Sequence, residues 1–164
     1  MSLRAVIWLG PIVFLVHDLE EVFRTRPWID ANQVLIESTP FQPVVQAMGY
    51  EPAKFGLVVA LVTVLYFVIS YFATRHVRPG VSMNLYAATV LTMCVNVVTH
   101  VGQSVLLRMY TPGVITAVLV VLPYTVIALR KLRAHRLLTA STWIASPLLI
   151  AGMFAAIFGL MVAL

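Results

Sequence analysis

Charge is what this sequence has least of. Only 10% of its 164 residues are charged, against 61% hydrophobic. A soluble domain is roughly half apolar and a quarter charged, so the shortage excludes an ordinary soluble fold and puts the chain in the membrane class. Cysteine is nearly absent too: Cys94 stands alone, which excludes an intrachain disulfide and a thiolate zinc cage. Also missing is any basic face interleaved with aromatics, so the net charge of +5 does not point to nucleic acid. The Lys and Arg side chains collect at the ends of apolar runs, as membrane-flanking charges do.

What remains is long apolar runs. A spanning helix needs about 20 mostly apolar residues. Five stretches qualify, at roughly 5–23, 54–74, 82–107, 113–130 and 141–164. The expected fold class is therefore all-α, a polytopic integral membrane bundle forming one domain over 1–164. The first run resembles a signal-peptide core, but "HDLEEVF" stands where a small-residue cleavage site belongs, so it is expected to be retained. Pro123 is expected to kink the fourth span. Gly152 and Gly159, seven apart on the last, suggest close helix packing.

With five spans the loops alternate sides. Arg4, Arg75, Arg78, Arg130, Lys131, Arg133 and Arg136 fall on one side, and Arg24, Arg26, Lys54 and Arg108 on the other. Basic residues favour the cytoplasmic face, so the amino terminus is expected in the cytoplasm. The long connection, 24–53, carries "STPFQPVVQAMG", in which Phe41, Val44, Val45 and Met48 share one helical face. Pro40 suits a first turn and Gly49 a stop, giving a short amphipathic helix at the membrane interface. It serves either as a tether or as a lid across a pocket.

The stretch "FLVHDLEEVF", residues 14–23, sets half of the chain's six carboxylates beside a histidine, at the end of an apolar run. His17, Glu20, Glu21 and Arg24 fall on one helix face, with Asp18 about 100° round from His17. A carboxylate at a span's centre costs about 2.5–3.5 kcal/mol, less near the interface, so a compensating partner is needed. The third span supplies one, since Asn96, His100 and Gln103 also share a face. Both histidines lie roughly 10–12 Å inside the same boundary, counting residues to Arg24 and Arg108.

The plain alternative has the carboxylates snorkelling outwards, with Arg24 pairing one of them. As a group, however, two imidazoles and a carboxylate suit one divalent metal, zinc or iron. His17, Glu21 and His100 are the expected ligands, with Glu20 as general base. Asn96 and Gln103 would orient a ligand or the substrate. A metal-free set of the same residues would suit acid–base isomerisation or cyclisation of a lipid. A proton- or cation-binding transporter is a third reading, weakened by the lack of an inverted repeat.

The pattern His17-Asp18-Leu19-Glu20-Glu21, followed by His100 and Tyr110-Thr111-Pro112-Gly113, resembles the HXXEE-domain membrane proteins. That family is described by these motifs in this order, and the likeness runs from about Trp8 to Tyr124. It brings no activity with it. By its own chemistry "YTPG" is a tight turn with Tyr110 anchored at the interface, or with Tyr110 over the pocket as a substrate contact. The function expected from these residues is a membrane-embedded, metal-dependent, hydrolase-like enzyme. Its partner would be a membrane lipid or isoprenoid-type hydrophobic molecule, and a homo-oligomer stays open.

Overall fold

The computed structural model describes residues 1–163; Leu164, the expected end of the last span, lies outside them. Among the described residues there is no strand. The chain folds into α1 (Leu3–Ala31), α2 (Gln33–Glu37), α3 (Gln42–Met48), α4 (Pro52–Arg75), α5 (Val81–Leu107), α6 (Val114–Thr116), a π-helical turn (Ala117–Val121), α7 (Leu122–Ala134) and α8 (Ala140–Ala163).

Four helical segments are long and apolar enough to cross a membrane: α4, α5, the run Val114–Ala134, and α8. Their outward faces confirm the solvent they meet. Val64, Leu65 and Phe72 on α4, Val98, Val105 and Leu106 on α5, and Ile144 and Leu148 on α8 are 55–78% exposed. A water-soluble protein does not leave so continuous an apolar surface bare. The chain is a multi-pass membrane protein.

α1 is not among those four, because every 18-residue stretch of it holds more than two charged side chains. It is nonetheless 29 residues long and packs against α4. The helix runs eight residues beyond the expected end at 23. Past the apolar run it is held by an Arg26–Asp30 pair at 3.0 Å, four residues apart on one face. Asn32 closes it, its side-chain amide donating to the Trp28 carbonyl at 2.8 Å. The 24–53 connection is thus largely helical. The amphipathic segment follows as α3, stopped by Gly49 at φ +70°.

The fourth span departs from a plain kinked helix. Pro123 lacks an N–H and its ring crowds the carbonyl four residues back. The chain answers by widening the preceding turn, with the Leu122 N–H bonded to the Ala117 carbonyl, five residues earlier. At the centre of the bundle, the hydroxyls of Tyr66, Tyr86 and Tyr124 converge. Tyr86 and Tyr124 lie 2.8 Å apart and Tyr66 and Tyr124 3.4 Å apart, while Tyr124 donates to the Val6 carbonyl. Gly10 of α1 admits this knot, since a Cβ there would overlap both Tyr66 and Tyr124 hydroxyls. Gly152 and Gly159 differ from expectation. Nothing lies within 4 Å of a Cβ added at either, so close helix packing is not their role within the chain.

Candidate functional site

α1 and α5 each bring one histidine to the same level, and the two rings meet edge to face, centroids 4.9 Å apart. Both are buried. Glu21, one turn on from His17, reaches His100 Nε2 with its Oε1 at 3.2 Å. One ligand atom each from His17, Glu21 and His100 lies within 4.8 Å of the others, so these three could hold a metal ion. His100 Nδ1 is buried without a hydrogen-bond partner. A buried polar atom left so is costly, and calls for a ligand or water.

His17 is fixed from both sides. Its Nδ1 lies 2.8 Å from Thr116 Oγ1, and its Nε2 lies 2.8 Å from Asn96 Nδ2. The Thr116 hydroxyl donates to Glu20 Oε2 at 2.6 Å, which spends its one proton. Thr116 Oγ1 must therefore accept from His17, and the network assigns the imidazole proton to Nδ1. The Nε2 lone pair then faces Asn96 and the neighbouring Glu21 and His100. Orientation of a ligating histidine through its other nitrogen is how metal sites fix a tautomer.

Glu20 is set apart from the other three. Besides the Thr116 hydroxyl it accepts the Thr116 backbone N–H at 2.9 Å and the Tyr110 hydroxyl at 2.8 Å. It thus sits at the open N-terminus of the run that starts at Val114, where a negative charge is favoured. Expected as the general base, Glu20 is occupied as a tether between α1 and the turn before α6. Tyr110 is correspondingly tied to Glu20 rather than turned over the cavity. Its phenol, displaced from solvent and bonded to Glu20, is pushed up to about 12, so it stays a donor across the neutral range. Trp28, from the extended end of α1, donates to the Tyr110 carbonyl at 2.8 Å and holds the same turn.

The role of "YTPG" follows from its last residue. Gly113 has φ +86°, and a Cβ there would fall 2.6 Å from His100 Cε1 and 3.1 Å from Glu21 Cγ. Glycine is required both by the backbone and by the histidine ring lying on it. Arg24 pairs with neither glutamate. Among the described residues Arg26–Asp30 is the one Lys or Arg ion pair, and Glu21 meets the His100 imidazole instead.

The cluster lines a cavity of about 430 Å³. His17, Asp18, Glu21, Asn96, His100 and Gln103 all reach its wall, and Glu20 does not. Asp18, which the residue pattern left aside, is buried there, and no hydrogen bond to its carboxylate is seen among the described residues. Its signal was its spacing from Glu21, three residues, rather than from His17. Thr116 was also missed; its place three residues after the Gly113 turn is the only hint the sequence holds. The apolar face of α3, through Val44, Val45 and Met48, forms part of the cavity wall.

Fold and site together define a helical multi-pass membrane protein with a buried histidine–carboxylate cluster at the head of an apolar cavity. Residues 8–128 match the family described as "Protein of unknown function with HXXEE motif", and the chain belongs to it. His17, Glu20 and Glu21 are the residues of that motif in this chain. No curated protein and no solved structure matches the chain.

Proposed function

We propose that this protein is a membrane-embedded, metal-dependent hydrolase acting on a lipid or isoprenoid-type substrate held in the cavity. One observation carries the reading: His17, Glu21 and His100 converge within 4.8 Å at the polar end of an apolar chamber. Two imidazoles and a carboxylate suit zinc or iron and leave positions open. The charge balance supports it as well. Among the described residues no Lys or Arg lines the cavity, so Asp18 has no partner of fixed positive charge there and Glu21 meets only the His100 imidazole. A divalent cation would supply that charge.

The ion would supply Lewis acidity at the scissile bond. Asp18 takes the part of general base in place of Glu20, because it is the remaining carboxylate in the wall. It accepts a proton from water as the water oxygen bonds to the carbonyl carbon, and returns it to the departing group. Glu20 acts through Thr116, keeping the His17 proton on Nδ1. Asn96 and Gln103 offer amides to the substrate. We also assign the amino terminus to the cytoplasm and the site to the outer half of the membrane, on the distribution of basic residues.

A second reading rests on a specific observation. Both nitrogens of His17 already have partners at 2.8 Å, which favours a metal-free acid–base isomerase or cyclase in which Glu21 and His100 pass the proton. Metal analysis separates the two. Protein purified without chelator is expected to carry near-stoichiometric zinc or iron, lost in His17→Ala and His100→Ala but kept in Asp18→Asn. Absence of metal even after supplementation would sink the first reading and leave the second.

A further inference from the structure

The walls of the cavity carry information about what enters it. Beyond the polar end the lining is apolar, with Val44 and Met48 from α3, Phe55 and Val59 from α4, and Ile157 and Phe158 from α8. Its volume, about 430 Å³, is in the lower part of the ~300–1,000 Å³ range of small-molecule sites. At roughly 30 Å³ for a methylene-sized group, close to the share of one water in the liquid, such a space holds roughly fourteen groups. One chain of about a dozen carbons fills such a space.

The polar end is selective in another way. Its charged side chains are Asp18 and Glu21, and none of the chain's 11 Lys and Arg residues lines the cavity among the described residues. Apart from the two histidines, the remaining polar lining is hydroxyls and amides, among them Thr25, Thr92, Asn96, Thr99, Gln103 and Thr111. Among protein groups, phosphate is held by Arg, Lys or the open N-terminus of a helix. Here the nearby N-terminal N–H of Thr116 is already taken by Glu20. Hydroxyls and amides suit an uncharged head that accepts and donates hydrogen bonds.

We propose that the cavity selects a single-chain amphiphile with an uncharged head, an ester or amide of about a dozen carbons, and rejects phosphate- and diphosphate-headed lipids. This deepens the hydrolase reading and rests on it for the choice of ester or amide. Binding tests it, and the metal-stripped protein reads binding without turnover. Trp28 lines the cavity, so its emission is followed in a Trp8→Phe, Trp143→Phe background in phosphatidylcholine nanodiscs, on metal-stripped and zinc-supplemented protein. Methyl dodecanoate is expected to give saturable quenching, with dodecyl phosphate at least tenfold weaker in both states. Gln103→Arg, at an exposed position of the cavity rim, is expected to close most of that gap. Equal or tighter binding of dodecyl phosphate to the parent overturns the proposal, and so does an absence of saturable quenching by the ester. Because the stripped protein is measured too, failure of the metal site leaves this result readable on its own.

Discussion

Four acidic and basic side chains on one turn and a half of helix take up two different tasks, and the helical wheel says why. Taking His17 as zero, Glu21 falls at about 40°, Asp18 at about 100° and Glu20 at about −60°. His17 is therefore flanked by Glu21 and Asp18 on the cavity side and by Glu20 on the tether side. Different losses follow from substitution at each. Asp18→Asn is expected to leave metal content intact and to lower turnover of a cavity-bound ester about 10²–10⁴-fold, the usual worth of a general base. Glu20→Gln should instead weaken metal affinity about 10–100-fold, as loss of an outer hydrogen-bond partner does, which a competition titration with a chelator reads. Gly113→Ala forces a Cβ onto the His100 ring at φ +86°. Overpacking alone costs about 1–3 kcal/mol, so a lowered thermal midpoint together with lost metal is expected. The meeting of the two histidines was legible in the sequence, because residue counts to Arg24 and Arg108 fix their depths. The division of labour among the carboxylates was not. It depends on where α6 and its turn lie, of which Thr116's place three residues after Gly113 is only a hint until the chain is folded.

At the scale of the helices, apolar runs told where spans lie but not how each one ends or bends. The apolar run puts the end of α1 at 23, because Arg24 marks its edge. The helix continues because Arg26 and Asp30 pair along one face and Trp28 reaches the Tyr110 carbonyl. Pro123 announced an irregularity, and its form, a widened turn over Ala117–Val121, depends on local hydrogen bonding that hydropathy does not record. Glycines divide in the same way. Gly10 is filled against by two tyrosine hydroxyls, whereas Gly152 faces open space. Gly10→Ala is expected to destabilise the detergent-solubilised protein by about 1–3 kcal/mol, while Gly152→Ala changes it by no more than about 1 kcal/mol. Thermal unfolding of the two variants side by side checks this. An unchanged midpoint for Gly10→Ala would mean that the tyrosine knot is not part of what holds α1 to α4, α5 and α7.

For the molecule as a whole, the question is which way the bundle faces, and the basic residues give an expectation that labelling tests. Arg75 closes α4, while Lys131 and Arg133 sit in the last turn of α7. With Arg78 and Arg136 they belong to the ends remote from the site, and Arg4 starts α1. The carboxylates sort oppositely: Asp18, Glu20, Glu21, Asp30, Glu37 and Glu51 all lie between the site and the start of α4. Positive charge resists translocation, so the end bearing Arg75 and Arg133 is expected in the cytoplasm and the site end outside. This holds only if α1 crosses the bilayer in spite of its charges, which requires the buried cluster to be neutralised within the protein. Orientation and the site are thereby linked. In a Cys94→Ser background, single cysteines at three exposed positions report the sides. Glu37→Cys is expected to react with an impermeant maleimide in intact cells, and Ser2→Cys and His76→Cys only after lysis. Labelling of Ser2→Cys together with Glu37→Cys would show that α1 does not cross. Labelling of Ser2→Cys and His76→Cys without Glu37→Cys would invert the molecule and place the cavity head on the cytoplasmic side.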